Sequence, residues 1–136
     1  MTGVELARRA VACPGWRWMP GMRYQIVNER GQIGGWMRAS DRVSHLDALY
    51  PVAGESEVAL PDLDDPATLG CLLALVREAW GSHVSSIRTG DGWSVRHMGR
   101  DGWAVGLSVV GITQCATEAE ALVVALEAAP RREAAP

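Results

Sequence analysis

The chain has 136 residues, of which 48% are hydrophobic and 21% charged, and its formal net charge is −3. That length suits one domain with a real core, and the balance excludes an intrinsically disordered chain. The acidic sum argues against a general nucleic-acid binder, and no apolar run approaches the roughly 18 residues of a membrane span. All thirteen basic residues are Arg, which GC-rich codon usage explains. Met1-Thr2-Gly3-Val4-Glu5 lacks the basic and apolar regions of a signal peptide, so the expected compartment is cytoplasmic. Cys13, Cys71 and Cys115 are too few and too far apart for a disulfide framework or a zinc knuckle, and free thiols are expected.

Thr2 and Glu5 form a capping-box pattern, and Val4, Ala7 and Val11 follow at helical spacing. This predicts a helix over 3–12, stopped by Cys13-Pro14-Gly15. An aromatic loop follows, Trp16-Arg17-Trp18-Met19-Pro20-Gly21-Met22. Residues 23–29 alternate as a strand, with Tyr24 and Ile26 on one face and Gln25 and Val27 on the other. A turn at Arg30-Gly31 and a return strand over 32–37 complete a hairpin that Gly34-Gly35 weakens. Residues 38–60 show no sustained period and are expected to be irregular, with a short strand near Val58–Leu60.

Asp65 as N-cap and Pro66 as first helical residue open the clearest helix. Its expected apolar stripe is Leu69, Leu72, Leu73, Val76 and Trp80, widened by Cys71 and Leu75 until most of the helix is buried, and Gly81 stops it. Three strands follow, 84–89, 93–98 and 103–110, around turns at Gly90-Asp91-Gly92 and Gly99-Arg100-Asp101-Gly102. Asp91-Gly92-Trp93-Ser94-Val95 recurs ten residues later as Asp101-Gly102-Trp103-Ala104-Val105, a hairpin offset. Trp93 and Val95 share one face; Trp103, Val105, Leu107 and Val109 share another. Thr117 caps the last helix with Glu120 as its capping-box partner, and Ala119, Leu122, Val123, Leu126 and Ala129 form its stripe. Residues 131–136 read as a frayed tail.

This order predicts an α+β fold, a small antiparallel sheet covered by two or three helices. Residues 1–130 are expected to form a single domain, with the N-terminal helix and hairpin over 1–60 and the remainder over 61–130. The helix Ala67–Trp80, the strands bearing Trp93 and Trp103, and the closing segment Thr117–Ala129 resemble the phage ABA-sandwich domain over about half the chain. Trp16-Arg17-Trp18-Met19-Pro20-Gly21-Met22 is also similar to stretches of hypothetical phage and prophage proteins. The resemblance implies a phage or prophage origin and transfers no catalytic residue.

Recognised chemistry is sparse. His45, His83 and His97 have no metal-ligand spacing, and Ser40, Ser44, His45 and Asp47 lack the glycines of a nucleophile elbow. Asp62, Asp64 and Asp65 do not make a calcium loop, and helix capping explains at least Asp65. Gly31-Gln32-Ile33-Gly34-Gly35 is not a dinucleotide fingerprint, and a chain without Lys has no Walker motif. No metal and no cofactor are expected. The candidate binding residues are Trp16, Arg17, Trp18, Arg23, Trp36 and Arg38, since Trp and Arg dominate binding hot spots. The competing reading has Trp16 and Trp18 plugging the core of a chain that lacks Phe. Charge is uneven: residues 1–50 hold seven Arg and four carboxylates, residues 51–80 one Arg and six carboxylates.

The leading expectation is therefore a non-enzymatic, phage-encoded accessory protein in the host cytoplasm. It would bind a host or phage protein, in the manner of counter-defence or host takeover. A small-molecule or nucleotide-binding module using the Trp/Arg loop is the first alternative, with a nucleotide or single-stranded nucleic acid as the partner it would hold, and an enzyme of unknown class the second. No membrane partner is expected, and a homodimer through a sheet edge or the aromatic loop remains open.

Overall fold

The computed structural model describes residues 3–28, 30, 34–40, 58–81, 84–89, 92–98, 104–108 and 115–129. The first helix, α1 (Gly3–Val11), forms where the apolar spacing places it, and Thr2 of the expected capping box lies outside the described residues. Its buried face is Leu6, Ala7 and Ala10, so the inward stripe is rotated from the expected Val4, Ala7 and Val11. After it, the Trp16 N–H donates to the Cys13 carbonyl at 3.0 Å in a tight turn.

Three strands make one antiparallel sheet in the order β2-β1-β3: β1 (Arg23–Val27), β2 (Met37–Arg38) and β3 (Val58–Pro61). Among the described residues the hairpin partner of β1 is Met37–Arg38, at the end of the expected return strand, and residues 32 and 33 lie outside the described residues. Arg23 pairs with Arg38 and Tyr24 with Met37. Residues 34–36 carry no regular strand, although the Gly34 N–H still reaches the Ile26 carbonyl at 3.2 Å. Beyond β2 the pairing continues from the Ala39 N–H to the Met22 carbonyl at 2.7 Å. On the other side, β3 runs antiparallel from Val27↔Val58 to Tyr24↔Pro61. β1 is thus the central strand, and Tyr24, Gln25 and Val27 are all buried. Both of its faces are covered. Helix α1 packs on β3.

Helix α2 (Pro66–Trp80) begins as expected: the Asp65 carboxylate accepts the Thr68 N–H at 3.0 Å, and Pro66 fills the first helical position. Its fully buried residues are Thr68, Leu72, Leu75 and Val76, while Ala67, Gly70, Ala74, Arg77 and Glu78 are exposed. The helix is therefore amphipathic rather than mostly buried, and Leu69 and Leu73 lie at the margin of its inner face. Gly81 ends it with φ +64°, a left-handed position that glycine adopts without a Cβ penalty.

A second antiparallel sheet, order β4-β5-β6, follows: β4 (Val84–Thr89), β5 (Gly92–Met98) and β6 (Ala104–Ser108). Val84↔His97 through Thr89↔Gly92 pair in continuous register, whereas β5 and β6 shift register between Arg96 and Met98. Trp93 also exchanges backbone hydrogen bonds with Cys115 at 2.7 and 2.8 Å. Helix α3 (Glu118–Ala128) packs on β5 and β4. Thr117 caps it, its hydroxyl accepting the Glu120 N–H at 3.1 Å. Ala121 and Ala125 are buried together with the expected Ala119, Leu122, Val123 and Leu126. On the sheet face beneath, Val84 and Val95 are buried and the Ser86 hydroxyl donates to Glu118 at 2.6 Å.

The fold is α+β, with two three-stranded antiparallel sheets where a single small sheet was expected. The chain groups into two compact units. One contains Met1–Val11 and Arg17–Cys71, the other Ala12–Trp16 and Leu72–Pro136, so the division falls inside α2. No helix among the described residues is long and apolar enough to cross a membrane. Trp103, the turn residues Gly90, Asp91 and 99–102, and the tail over 131–136 lie outside the described residues.

The C-terminus of α3 is completed from another helix. Ala129 sends its N–H to the Leu126 carbonyl, so the Ala125 carbonyl loses the usual i+4 donor, and the Trp80 indole N–H supplies one at 2.8 Å. Trp80→Phe keeps the ring packing and removes that donor. Urea unfolding followed by circular dichroism is expected to show a loss of about 1 kcal/mol.

Candidate functional site

The pairing of β1 with β2 sets Arg23 and Arg38 directly opposite each other. Like charges at such a position repel. Each guanidinium is matched by its own carboxylate from the segment after β3. Arg23 Nη1 lies 3.3 Å from Asp62 Oδ2, and Arg38 grips Asp65 with two nitrogens, at 2.8 and 3.1 Å. The bidentate geometry makes the second pair the stronger. Arg38 also donates to the Gly21 carbonyl at 2.8 Å. Gly21 turns the chain into β1 at φ +95°, which side-chain-bearing residues rarely adopt.

Asp65 is the hub. Its Oδ2 also accepts the Thr68 N–H and the Thr68 hydroxyl, both at 3.0 Å. That hydroxyl in turn accepts the Arg23 N–H at 2.9 Å, so one buried threonine ties the start of β1 to the helix cap. The Arg38 guanidinium and the Thr68 donors hold the Asp65 carboxyl well below its ordinary value of 3.8, against the opposing effect of burial. The same bridge raises Arg38. Burial, and then the Asp65 charge, push the half-buried Cys71 thiol up and keep it protonated.

Around this ionic frame the sheet edge is apolar. Trp36 and Met37 are each 42% exposed and are the exposed large hydrophobic residues among those described. Trp36 lies under the Arg23 guanidinium, 5.0 Å from ring centroid to Cζ, a cation–π contact. Met37 faces the other way: its sulfur accepts the Tyr24 hydroxyl at 3.9 Å. Since Arg23 and Tyr24 alternate along β1, the edge carries one apolar side chain on each face.

Of the six residues singled out in the sequence, the structure gathers Arg23, Trp36 and Arg38. Trp18 is in the core, 6% exposed, edge-on to Tyr24 with centroids 5.8 Å apart, as the plug reading expected. It has no free face for a partner. Trp16 is half-buried in the other compact unit, and Arg17 is exposed. Asp62, Asp65, Thr68, Tyr24 and Met37 complete the arrangement without having been read as part of it. The opposite charge imbalances of residues 1–50 and 51–80 were their signal, since Arg23 and Arg38 belong to the first stretch and both aspartates to the second. The two arginines are thereby neutralised within the molecule.

The aspartates serve structure here. Asp62 Oδ1 accepts the Asp64 N–H at 3.1 Å, and Asp65 is fully engaged. Among the described residues no three His, Cys, Asp or Glu side chains are grouped to hold a metal ion. Ser40 is exposed. His45, His83, Ser44, Asp47 and residues 31–33 lie outside the described residues, and His97 is described only as a backbone position in β5.

Two outcomes follow for this network. Thr68→Val strands the Arg23 N–H and removes a hydrogen bond to Asp65, so chemical denaturation is expected to show a loss of about 1–3 kcal/mol, while Thr68→Ser loses less. The Asp65 carboxyl is depressed in the folded state, so its contribution to stability is full above its unfolded value, about pH 4, and is lost as pH falls toward the folded value. Asp65→Asn is therefore expected to lower the urea midpoint at pH 7 and to flatten its fall between pH 4 and 2.5.

No protein-family model matches this chain, and no curated protein or solved structure matches it either.

Proposed function

We propose that this protein works by binding, and that a protein partner takes hold of the edge formed by Trp36, Met37 and Arg38. The observation that carries this reading is the exposure of Met37, on the edge strand β2, and of Trp36, the residue just before it, one against Tyr24 and the other against Arg23. An apolar edge strand invites association, and strand addition supplies main-chain hydrogen bonds while side chains on both faces supply specificity. The contact of Trp36 with Arg23, itself paired with Asp62, supports the reading further, because a braced side chain loses little freedom on binding. Binding is read here as the whole of the activity, without bond-making chemistry.

The likeness of residues 67–80 and 117–129 to phage ABA-sandwich domains supports a phage origin, and hence a host protein in the bacterial cytoplasm as the partner. That part of the proposal rests on resemblance alone. A nucleotide partner is less well supported, because Asp62 and Asp65 already satisfy Arg23 and Arg38.

The test compares immobilised wild-type protein with a Trp36→Ser, Met37→Ser double variant in host lysate, after circular dichroism confirms that both are folded. Capture by the wild type and a roughly 30-fold weaker affinity of the variant for the same partner is expected, the scale of losing one aromatic hot spot. Equal capture by both proteins, or a nucleotide-induced rise in melting temperature that the variant abolishes, would overturn the proposal.

A further inference from the structure

We propose that Met37 is a redox-responsive element of the β2 edge: two-electron oxidation of its thioether by a peroxide makes one of the two exposed apolar side chains polar and releases the partner. The second half of this statement rests on the binding reading above; the first half rests on burial alone. Among the methionines whose side chains are described, Met22 is fully buried and its sulfur accepts the Met19 N–H at 3.4 Å, and Met19 is half-buried. Met37 is 42% exposed, on an edge strand. Oxidation follows access, so Met37 is the preferred target of the three. In the step, the sulfur lone pair attacks one peroxide oxygen, the O–O bond breaks, a sulfoxide forms and water leaves. The thioether loses two electrons and hydrogen peroxide gains them.

The surroundings decide the consequence. The Tyr24 hydroxyl already donates to the Met37 sulfur at 3.9 Å, and a sulfoxide oxygen is a far better acceptor than a thioether. The β1–β2 pair therefore survives oxidation, and what changes is the outer surface of Met37. A partner that buries this side chain must then desolvate a sulfoxide, which weakens binding roughly tenfold. A thiol-dependent methionine sulfoxide reductase restores the thioether.

The experiment treats the whole protein with hydrogen peroxide and follows oxygen uptake at each methionine by peptide mass spectrometry. Uptake at Met37 several-fold faster than at Met19 and Met22 is expected; equal or slower uptake overturns the proposal. Retention on a hydrophobic column is measured alongside, with no partner present. It is expected to fall on oxidation of the wild type, to recover with the reductase, and to be insensitive to peroxide in Met37→Leu. Unchanged wild-type retention after Met37 is oxidised overturns it. Capture of the partner is expected to drop about tenfold on oxidation of the wild type and to be peroxide-insensitive in Met37→Leu. Unchanged wild-type capture overturns the release step, whereas capture of nothing before oxidation sinks the binding reading and leaves the first two arms to decide the oxidation.

Discussion

Two arginines facing each other across a strand pair are an electrostatic problem, and the first compact unit is arranged around its solution. Arg23 and Arg38 can occupy neighbouring strands because Asp62 and Asp65 arrive beside them from the chain after β3. Thr68, fully buried, closes the arrangement by accepting from the Arg23 backbone and donating to Asp65. Asp65 thus does two jobs at once: it caps α2 and neutralises Arg38. A surface ion pair by itself adds little stability. This one matters because the carboxylate is also the acceptor for the first turn of a helix, so strand pairing and helix start depend on the same atoms.

That frame explains why the β2 edge can remain apolar without coming apart. Its pairing with β1 extends from Tyr24↔Met37 through Ala39, and the guanidinium of Arg38 anchors it to the Gly21 turn and to α2. Trp36 rests on Arg23 and Met37 on Tyr24, so each exposed side chain stands on a buried or charge-paired neighbour. The binding role proposed for the edge uses rigidity that the fold already provides. The redox role proposed for Met37 uses the same edge and alters its polarity rather than its shape.

The second unit shows a different economy. Helix α3 buries six of its eleven residues and ends with Ala129 extended at ψ 140°, which leaves the Ala125 carbonyl to the indole of Trp80. The Arg77 guanidinium similarly donates to the Val84 carbonyl at 2.8 Å, at the start of β4. Polar tips of long side chains thereby finish backbone ends that regular hydrogen bonding leaves open.

Short-range chemistry was legible in the residues themselves. Asp65 and Pro66 at the start of α2, Gly81 at its end, and Thr117 with Glu120 at the start of α3 depend only on neighbours within four positions, and the α+β class follows from the order of such elements. Periodicity located the helices and the inward face of α3, and it found Leu72, Leu75 and Val76 of α2, but it did not find Thr68: that residue is in the core and Leu69 at its margin because β1 offers Thr68 a backbone N–H, a partner 45 residues away. The split into two sheets, the two-residue length of β2 and the burial of Trp18 were decided by tertiary contacts for the same reason. The candidate site divides likewise. Arg23, Trp36 and Arg38 stood out as residue types that favour binding. Their assembly, and the removal of Trp18 from it, required the strand register and the two aspartates, because opposite charges far apart in sequence declare their pairing only once the chain has brought them within bonding distance.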